Sequence, residues 1–237
     1  MSDGIQVEAL EDGTPFQPLY GDVYCSRSGA EQARRVFVEG TELVDGLVDR
    51  GRAVVLETGF GLGLNAAAAL DAAADAARTR GASAVELRFV SIELHPVEPA
   101  ALARAHAALG LSTPGHALVQ SGYPALLERG LFEAAGDGWT ASVELVRGDG
   151  ARALAGLDLA ADALFLDGFA PDRNPGLWND AVFGELARLA APGARIATYT
   201  VARRVRDGLA RAGFDVARLP GYGRKRHRLV GVRRART

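Results

Sequence analysis

Short apolar runs rich in strand-forming residues alternate with Ala-rich or amphipathic stretches from about residue 52 onward. Ala53-Val54-Val55-Leu56-Glu57 predicts a short buried strand, and a helix over 64–80 follows, ended by Gly81. Further strands are predicted at 87–93, 143–146, 163–166 and 195–199, with helices at about 98–109, 178–190 and 201–212. The helix 178–190 is expected to stop near Pro192-Gly193. Two last strands, 214–219 and 226–232, have only Pro220-Gly221-Tyr222-Gly223 between them.

Strand–helix alternation requires crossover connections, hence an α/β fold with a mostly parallel sheet covered on both faces. The final pair lacks a helix and is expected as a C-terminal antiparallel hairpin at one sheet edge. The first 50 residues do not follow the alternation. They read as an N-terminal extension or cap (1–50), with two strands and a helix at 29–38 expected, ahead of one Rossmann-like domain (51–237).

Composition narrows the class. The chain is 48% hydrophobic and 24% charged, enough for a substantial core and against a disordered or collagen-like chain. Cys25 is the single cysteine, so neither an internal disulfide nor a cysteine-based zinc site is expected. The four histidines lack ligand spacing, and no metal is expected. No run of 18 apolar residues and no basic–apolar leader is present, so the expectation is a cytoplasmic protein away from membranes. Net charge is −2, but residues 201–237 hold twelve basic residues against Asp207 and Asp215 alone. That is either a solvated face or a footprint for a polyanion.

Between the first strand and its helix lies Glu57-Thr58-Gly59-Phe60-Gly61-Leu62-Gly63-Leu64-Asn65. Gly59, Gly61 and Gly63 permit a tight turn and close approach of a ligand. Acids sit at the predicted carboxyl ends of four strands: Glu57, Glu93, Asp149 and Asp167. Ligands of open α/β sheets bind beyond those ends. Gly61 to Ala66 also satisfies the dinucleotide pattern, but Glu93 lies 27 residues beyond Ala66, not about 20. A sulfonium nucleoside fits the acids better: Glu57 near the methionine end, Glu93 on the ribose, Asp149 near the adenine, with Asn65 in the loop.

The most distinctive stretch runs from Phe165 to Trp178, leaving a buried strand through a Gly/Pro loop into a helix. Asp167 at the strand end would orient an attacking amine, a gain in positioning. Trp178 would cover a base or pack beneath the loop. Tyr24 and Ser26 are candidates for the substrate pocket. Cys25 is placed by no motif as a nucleophile.

LETGFGLGLN (56–65), FVSIELHP (89–96), LDGFAPDRNPGLW (166–178), ATYTVARRVRDGLARAGF (197–214), GYGRKRHRLVG (221–231) and the upstream YGDVYCSRSGAEQARRVFVEGTEL (20–43) together resemble the methyltransferase domain of the MnmC family of bifunctional tRNA modification proteins. The resemblance runs in order from about residue 14 to 232. It implies a class I S-adenosylmethionine-dependent methyltransferase that methylates the amine of 5-aminomethyl-(2-thio)uridine at the tRNA wobble position. The family's loop maps onto Glu57, Gly59, Gly61, Gly63 and Asn65, its ribose acid onto Glu93 and its DGFAP aspartate onto Asp167. The basic Arg224, Lys225 and Arg226 then become candidate tRNA contacts. The chain ends at Thr237 without a second glycine fingerprint, as a stand-alone form would, so a separate enzyme would supply the amine. A transferase acting on a small amine and a non-catalytic RNA-binding module of the same fold are the alternatives.

Overall fold

The computed structural model describes residues 5–81, 84–221 and 226–235. Three short strands come first: β1 (Glu8–Ala9), β2 (Pro15–Gln17) and β3 (Asp22–Val23). Helix α1 (Gly29–Gln32) runs into a π-helical stretch, Ala33–Val38, and then α2 (Leu43–Arg50). The alternating part follows as β4 (Arg52–Thr58), α3 (Leu64–Arg80), β5 (Val85–Glu93), α4 (Pro99–Leu109), α5 (Pro114–Arg129), β6 (Leu131–Gly136), β7 (Trp139–Arg147), α6 (Gly150–Ala155) and β8 (Ala161–Leu166). It closes with α7 (Asp180–Leu189), β9 (Ala190–Thr198), α8 (Arg203–Arg211), β10 (Phe214–Pro220) and β11 (His227–Arg233).

The main sheet has eight strands in the order β10-β11-β9-β8-β4-β5-β7-β6. β7, β5, β4, β8 and β9 are mutually parallel. β11 inserts antiparallel between β9 and β10, as the expected C-terminal hairpin. An unexpected antiparallel strand, β6, closes the opposite edge against β7. The chain winds outward from β4 through β5 to β7, then returns to place β8 on the other side of β4. The loops after β4 and β8 therefore diverge and open a crevice at their carboxyl ends.

Both faces are covered, and side-chain alternation shows it. Val55, Phe89 and Phe165 pack with α3 and the π-helical stretch, whereas Leu56, Val90 and Leu164 pack with α6, α7 and α8. The small residues Ala66, Ala67, Ala69, Ala73 and Ala76 let α3 lie close against the sheet. Phe37 belongs to the same core and meets the Phe165 ring at 5.4 Å, anchoring the π-helical stretch to β8.

Several elements differ from the sequence reading. Helix α5 is present although Pro114 and Gly115 begin it and Pro124 lies inside it. Pro114 at the first turn gives up no intrahelical bond, while Tyr123 and Leu126 bury its apolar face. Strand β9 begins at Ala190 and runs through Pro192-Gly193, where a turn was expected. The N-terminal segment holds three strands rather than two, and the helix at 29–38 is α-helical only to Gln32. Among the described residues no helix is long and apolar enough to cross a membrane.

Candidate functional site

At the crevice between β4 and β8 lies a cavity of about 460 Å³, within the usual range for small-molecule sites. Its floor is the glycine loop after β4, and its walls are the ends of β5, β7, β8 and β9. Residues 20–37 close it from above. Four carboxylates line it, Asp22, Glu93, Asp149 and Asp167, and no basic side chain does among the described residues.

The glycine loop is shaped by contact with the β8 loop. Gly59 has φ +77°, and a Cβ there would stand 3.0 Å from the Gly168 Cα. The two loops thus touch backbone to backbone, a spacing only glycine permits. The Gly61 N–H donates to Glu93 Oε2 at 3.1 Å, and the His95 N–H donates to Oε1 at 2.9 Å. Glu93 is therefore held in place by backbone at the end of β5. Gly63 begins α3 and does not line the cavity.

Asp167 follows β8. Its Oδ1 accepts the Gly168 N–H at 2.9 Å and its Oδ2 accepts the Asn65 side-chain N–H at 2.7 Å. Thr58 Oγ1 donates to the Asp167 carbonyl at 2.9 Å, and accepts the Asp167 N–H at 3.1 Å. These bonds tie the ends of β4 and β8 together. Glu57, expected at the methionine end of a cofactor, lies beneath the loop with 0% exposure and does not line the cavity. It meets Asn65 Nδ2 at 2.8 Å and Ser91 Oγ at 2.6 Å. Burial pushes its carboxyl well above the usual range, more than those two hydrogen bonds lower it, and Asp167 and Glu93 push it further up. Asp149 is exposed on the cavity wall at the start of α6.

The N-terminal segment supplies residues that the sequence reading passed over. Asp22 Oδ2 accepts the Ala170 N–H at 2.8 Å, pinning the β8 loop to that segment. Tyr20 stacks on Phe169 with centroids 4.4 Å apart, and Tyr24 packs tilted on the same ring at 5.1 Å. The Tyr199 hydroxyl donates to the Gly168 carbonyl at 2.8 Å. Tyr199 stands just past the end of β9, so the strand-end rule that found Asp167 would have found it; Asp22 carried no such signal.

Tyr24 and Ser26 both line the cavity. Trp178 does not: it is buried under the loop, and its indole N–H donates to the Phe169 carbonyl at 2.8 Å. Of its two readings, packing beneath the loop is where the structure puts it. Cys25 also lines the cavity, and burial with the nearby Asp167 pushes its thiol up to about 12. It is a thiol, not a thiolate, at neutral pH. Arg226 is exposed and outside the cavity, while Arg224 and Lys225 lie outside the described residues. No group of three or more His, Cys, Asp or Glu among the described residues is arranged to hold a metal ion.

Comparison with known proteins agrees with this geometry. A family described as S-adenosyl-L-methionine-dependent methyltransferase matches residues 117–234. The tRNA 5-methylaminomethyl-2-thiouridine biosynthesis bifunctional protein MnmC of Azoarcus sp. (strain BH72) is 45% identical over 223 residues, covering 93% of this chain and 34% of that protein. This chain is a homologue of MnmC. The MnmC of Methylibium petroleiphilum (strain ATCC BAA-1232 / LMG 22953 / PM1) is 48% identical over 217 residues, 91% of this chain and 32% of its own length. The chain thus spans about a third of the length of these MnmC relatives. Among solved structures, MNMC2 from Aquifex aeolicus superposes with a TM-score of 0.71 at 25% identity, over 97% of this chain and 70% of that one. The fold is the class I Rossmann-like methyltransferase fold, whose cofactor is S-adenosylmethionine.

The cavity fits that cofactor. Four carboxylates, with no basic side chain among the described residues lining the cavity, suit a ligand bearing a sulfonium and an α-ammonium, and would repel the pyrophosphate of a dinucleotide. Glu93, Asp149 and the loop from Gly59 to Asn65 are the residues available to hold it.

Proposed function

We propose that this chain methylates the primary amine of 5-aminomethyl-(2-thio)uridine at the tRNA wobble position, giving 5-methylaminomethyl-(2-thio)uridine. The observation that carries the reading is the acidic cavity with Asp167 fixed in its wall by hydrogen bonds to both oxygens. S-adenosylmethionine bound there supplies an electrophilic methyl group. Glu93 and Asp149 hold its polar groups. Asp167 accepts a hydrogen bond from the incoming amine and aims its lone pair, a contribution of positioning. Residues 1–50 act as a cap over the catalytic domain 51–237, and Tyr24 and Ser26 face the substrate from that cap. With Cys25 protonated, transfer is direct and forms no covalent enzyme intermediate.

The MnmC relatives support tRNA as the partner, and we take the cytoplasm as its place of action. An aminomethyl-forming enzyme would supply the precursor. Arg203, Arg204 and Arg206 are exposed on the first turns of α8, next to the cavity residues Tyr199 and Thr200. Their ion pairs with Asp207 and Asp172 are solvent-exposed and weak, so they can exchange for phosphates. With Arg224, Lys225 and Arg226 they form the proposed phosphate-contacting surface.

The test is purified protein with labelled S-adenosylmethionine, tRNA carrying the aminomethyl precursor, and a panel of small polyamines. Label in one methylaminomethyl-uridine, read by nucleoside mass spectrometry, is the expected result. Label in the polyamines alone would replace this reading with a small-amine transferase. Cofactor binding without transfer to any acceptor would leave a non-catalytic module.

A further inference from the structure

We propose that Asn65 is a positioning residue: gripped from behind by the sealed Glu57–Ser91 pair, its side-chain amide sets the orientation of Asp167 toward the cavity. This rests on Asp167 being the group that meets the substrate amine.

The geometry is specific. One amide nitrogen, Asn65 Nδ2, lies 2.8 Å from Glu57 Oε1 and 2.7 Å from Asp167 Oδ2. An amide nitrogen has two N–H groups, and each is directed at one acid. The oxygen end of the amide would not serve there, because an ionised Asp167 carboxylate has no proton to donate to it. Glu57 faces Ser91 across the β4–β5 pair and is closed off from solvent. Asn65 is itself buried on the first turn of α3. An amide clamped at one end on a buried acid presents a fixed N–H to Asp167 at the other.

The surroundings also bear on the charge of Glu57. No basic side chain lines the cavity among the described residues, and none donates to Glu57 in its recorded hydrogen bonds. The charged groups that act on it are Asp167 and Glu93, both acids, and burial disfavours its ionised form. Burial and both neighbouring acids thus favour the protonated form of Glu57, against the hydrogen bond that its Oε2 accepts from Ser91 Oγ. Its other oxygen receives the Asn65 N–H. One negative charge then remains in the pair, on Asp167. Cys25 and Tyr199 are also titratable neighbours of Asp167, and burial and Asp167 together push both pKa values up.

The experiment is a carboxyl-¹³C NMR titration of the ligand-free protein, wild type and variants, paired with kinetics. In the wild type the Glu57 carbon should show no titration between pH 4 and 7. Removing the donor in Asn65→Ala should raise the Asp167 midpoint by roughly one pH unit, the size of one charged hydrogen bond. The acid limb of kcat should move with it, and kcat should fall about tenfold or more while KM for tRNA stays within about twofold, as misplacement predicts. Asn65→Leu, close to asparagine in shape and without an N–H, should behave like Asn65→Ala if alanine disturbs folding. Glu57→Gln, a mimic of the neutral acid, should leave the Asp167 midpoint in place and raise Tm at pH 8. A Glu57 carbon titrating in the ordinary carboxyl range, or an Asp167 midpoint unmoved in both Asn65 variants, overturns the proposal. Neither NMR result depends on tRNA being the substrate, so failure of the methylation assay is read separately.

Discussion

Replacing Gly59 by alanine tests the contact on which the cavity floor depends. At φ +77° an L-residue costs roughly 1–2 kcal/mol. The new Cβ would also stand 3.0 Å from the Gly168 Cα, 3.2 Å from the Gly168 nitrogen and 3.3 Å from the Asp167 carbonyl oxygen. All three are backbone atoms, so no side chain can swing aside, and such overpacking costs about 1–3 kcal/mol. Together the penalties reach about 2–5 kcal/mol. At roughly 2–4 °C per kcal/mol for a chain of this size, Tm should drop by about 4–20 °C. Gly110→Ala is the control: its φ is +65° with no atom within 4 Å of the added carbon, so it carries the backbone penalty alone. To accommodate the methyl group, the β4 and β8 loops must part by a few tenths of an ångström. At about 100-fold per ångström of misplacement, kcat in Gly59→Ala should fall roughly threefold to tenfold, and cofactor affinity should weaken in calorimetry. Gly110→Ala should do neither. Equal Tm losses in the two variants, with Gly59→Ala fully active, would refute the loop contact.

Three further outcomes are expected. His106 and His116 are buried, with ring centroids 5.8 Å apart, and burial holds both below the usual imidazole range. The unfolded chain therefore binds their protons first, so stability should fall as pH drops below about 6.5 and be untouched by them above it; His116→Gln should flatten Tm between pH 5 and 7, and an unchanged slope would contradict this. Tyr199→Phe leaves the Gly168 carbonyl without its hydroxyl donor, which should cost about 1–3 kcal/mol in chemical denaturation and lower kcat more than it raises KM; wild-type stability would count against that bond. Arg224→Ala with Arg226→Ala should weaken tRNA binding and flatten its dependence on salt while leaving cofactor affinity intact; an unaltered salt slope would remove those residues from the interface.

Periodicity and turn chemistry were enough to read the parallel strands, the terminal hairpin and the glycine loop. They were enough because each is a local pattern: a β-rich apolar run, then a breaker, then an acid. Strand-end position correctly put Glu93, Asp149 and Asp167 on one cavity. It misjudged Glu57, which lies one residue short of the end of central strand β4, where β5 and β8 flank it and the sheet covers it. Helix α5 was hidden by Pro114, Gly115 and Pro124, since packing against α3 outweighs their weak propensity. The N-terminal segment's part in the site was hidden for a different reason. Asp22 meets Ala170 across 148 positions of sequence, and Tyr20 meets Phe169 across a similar separation. Nothing local marks either residue for that contact.

Charge separates the two tasks that the proposed reaction imposes. An acidic cavity attracts a sulfonium and an amine, but by itself it would repel the nucleic acid that carries the amine. The repulsion is short-ranged, because salt screens charges over about 8–10 Å. A polyanion can therefore be held by a basic surface set apart from the cavity mouth. Residues 201–237 hold twelve basic residues against two acids, leaving fifteen basic and twenty-seven acidic residues in the rest. The acids of the cavity come from the ends of β5, β7 and β8 and from the N-terminal segment, whereas seven of the twelve basic residues lie on α8, β10 and β11. The same strand order that opens the crevice at β4 and β8 puts β10 and β11 at one sheet edge, so under the proposed function the basic residues of those strands lie outside the acidic cavity.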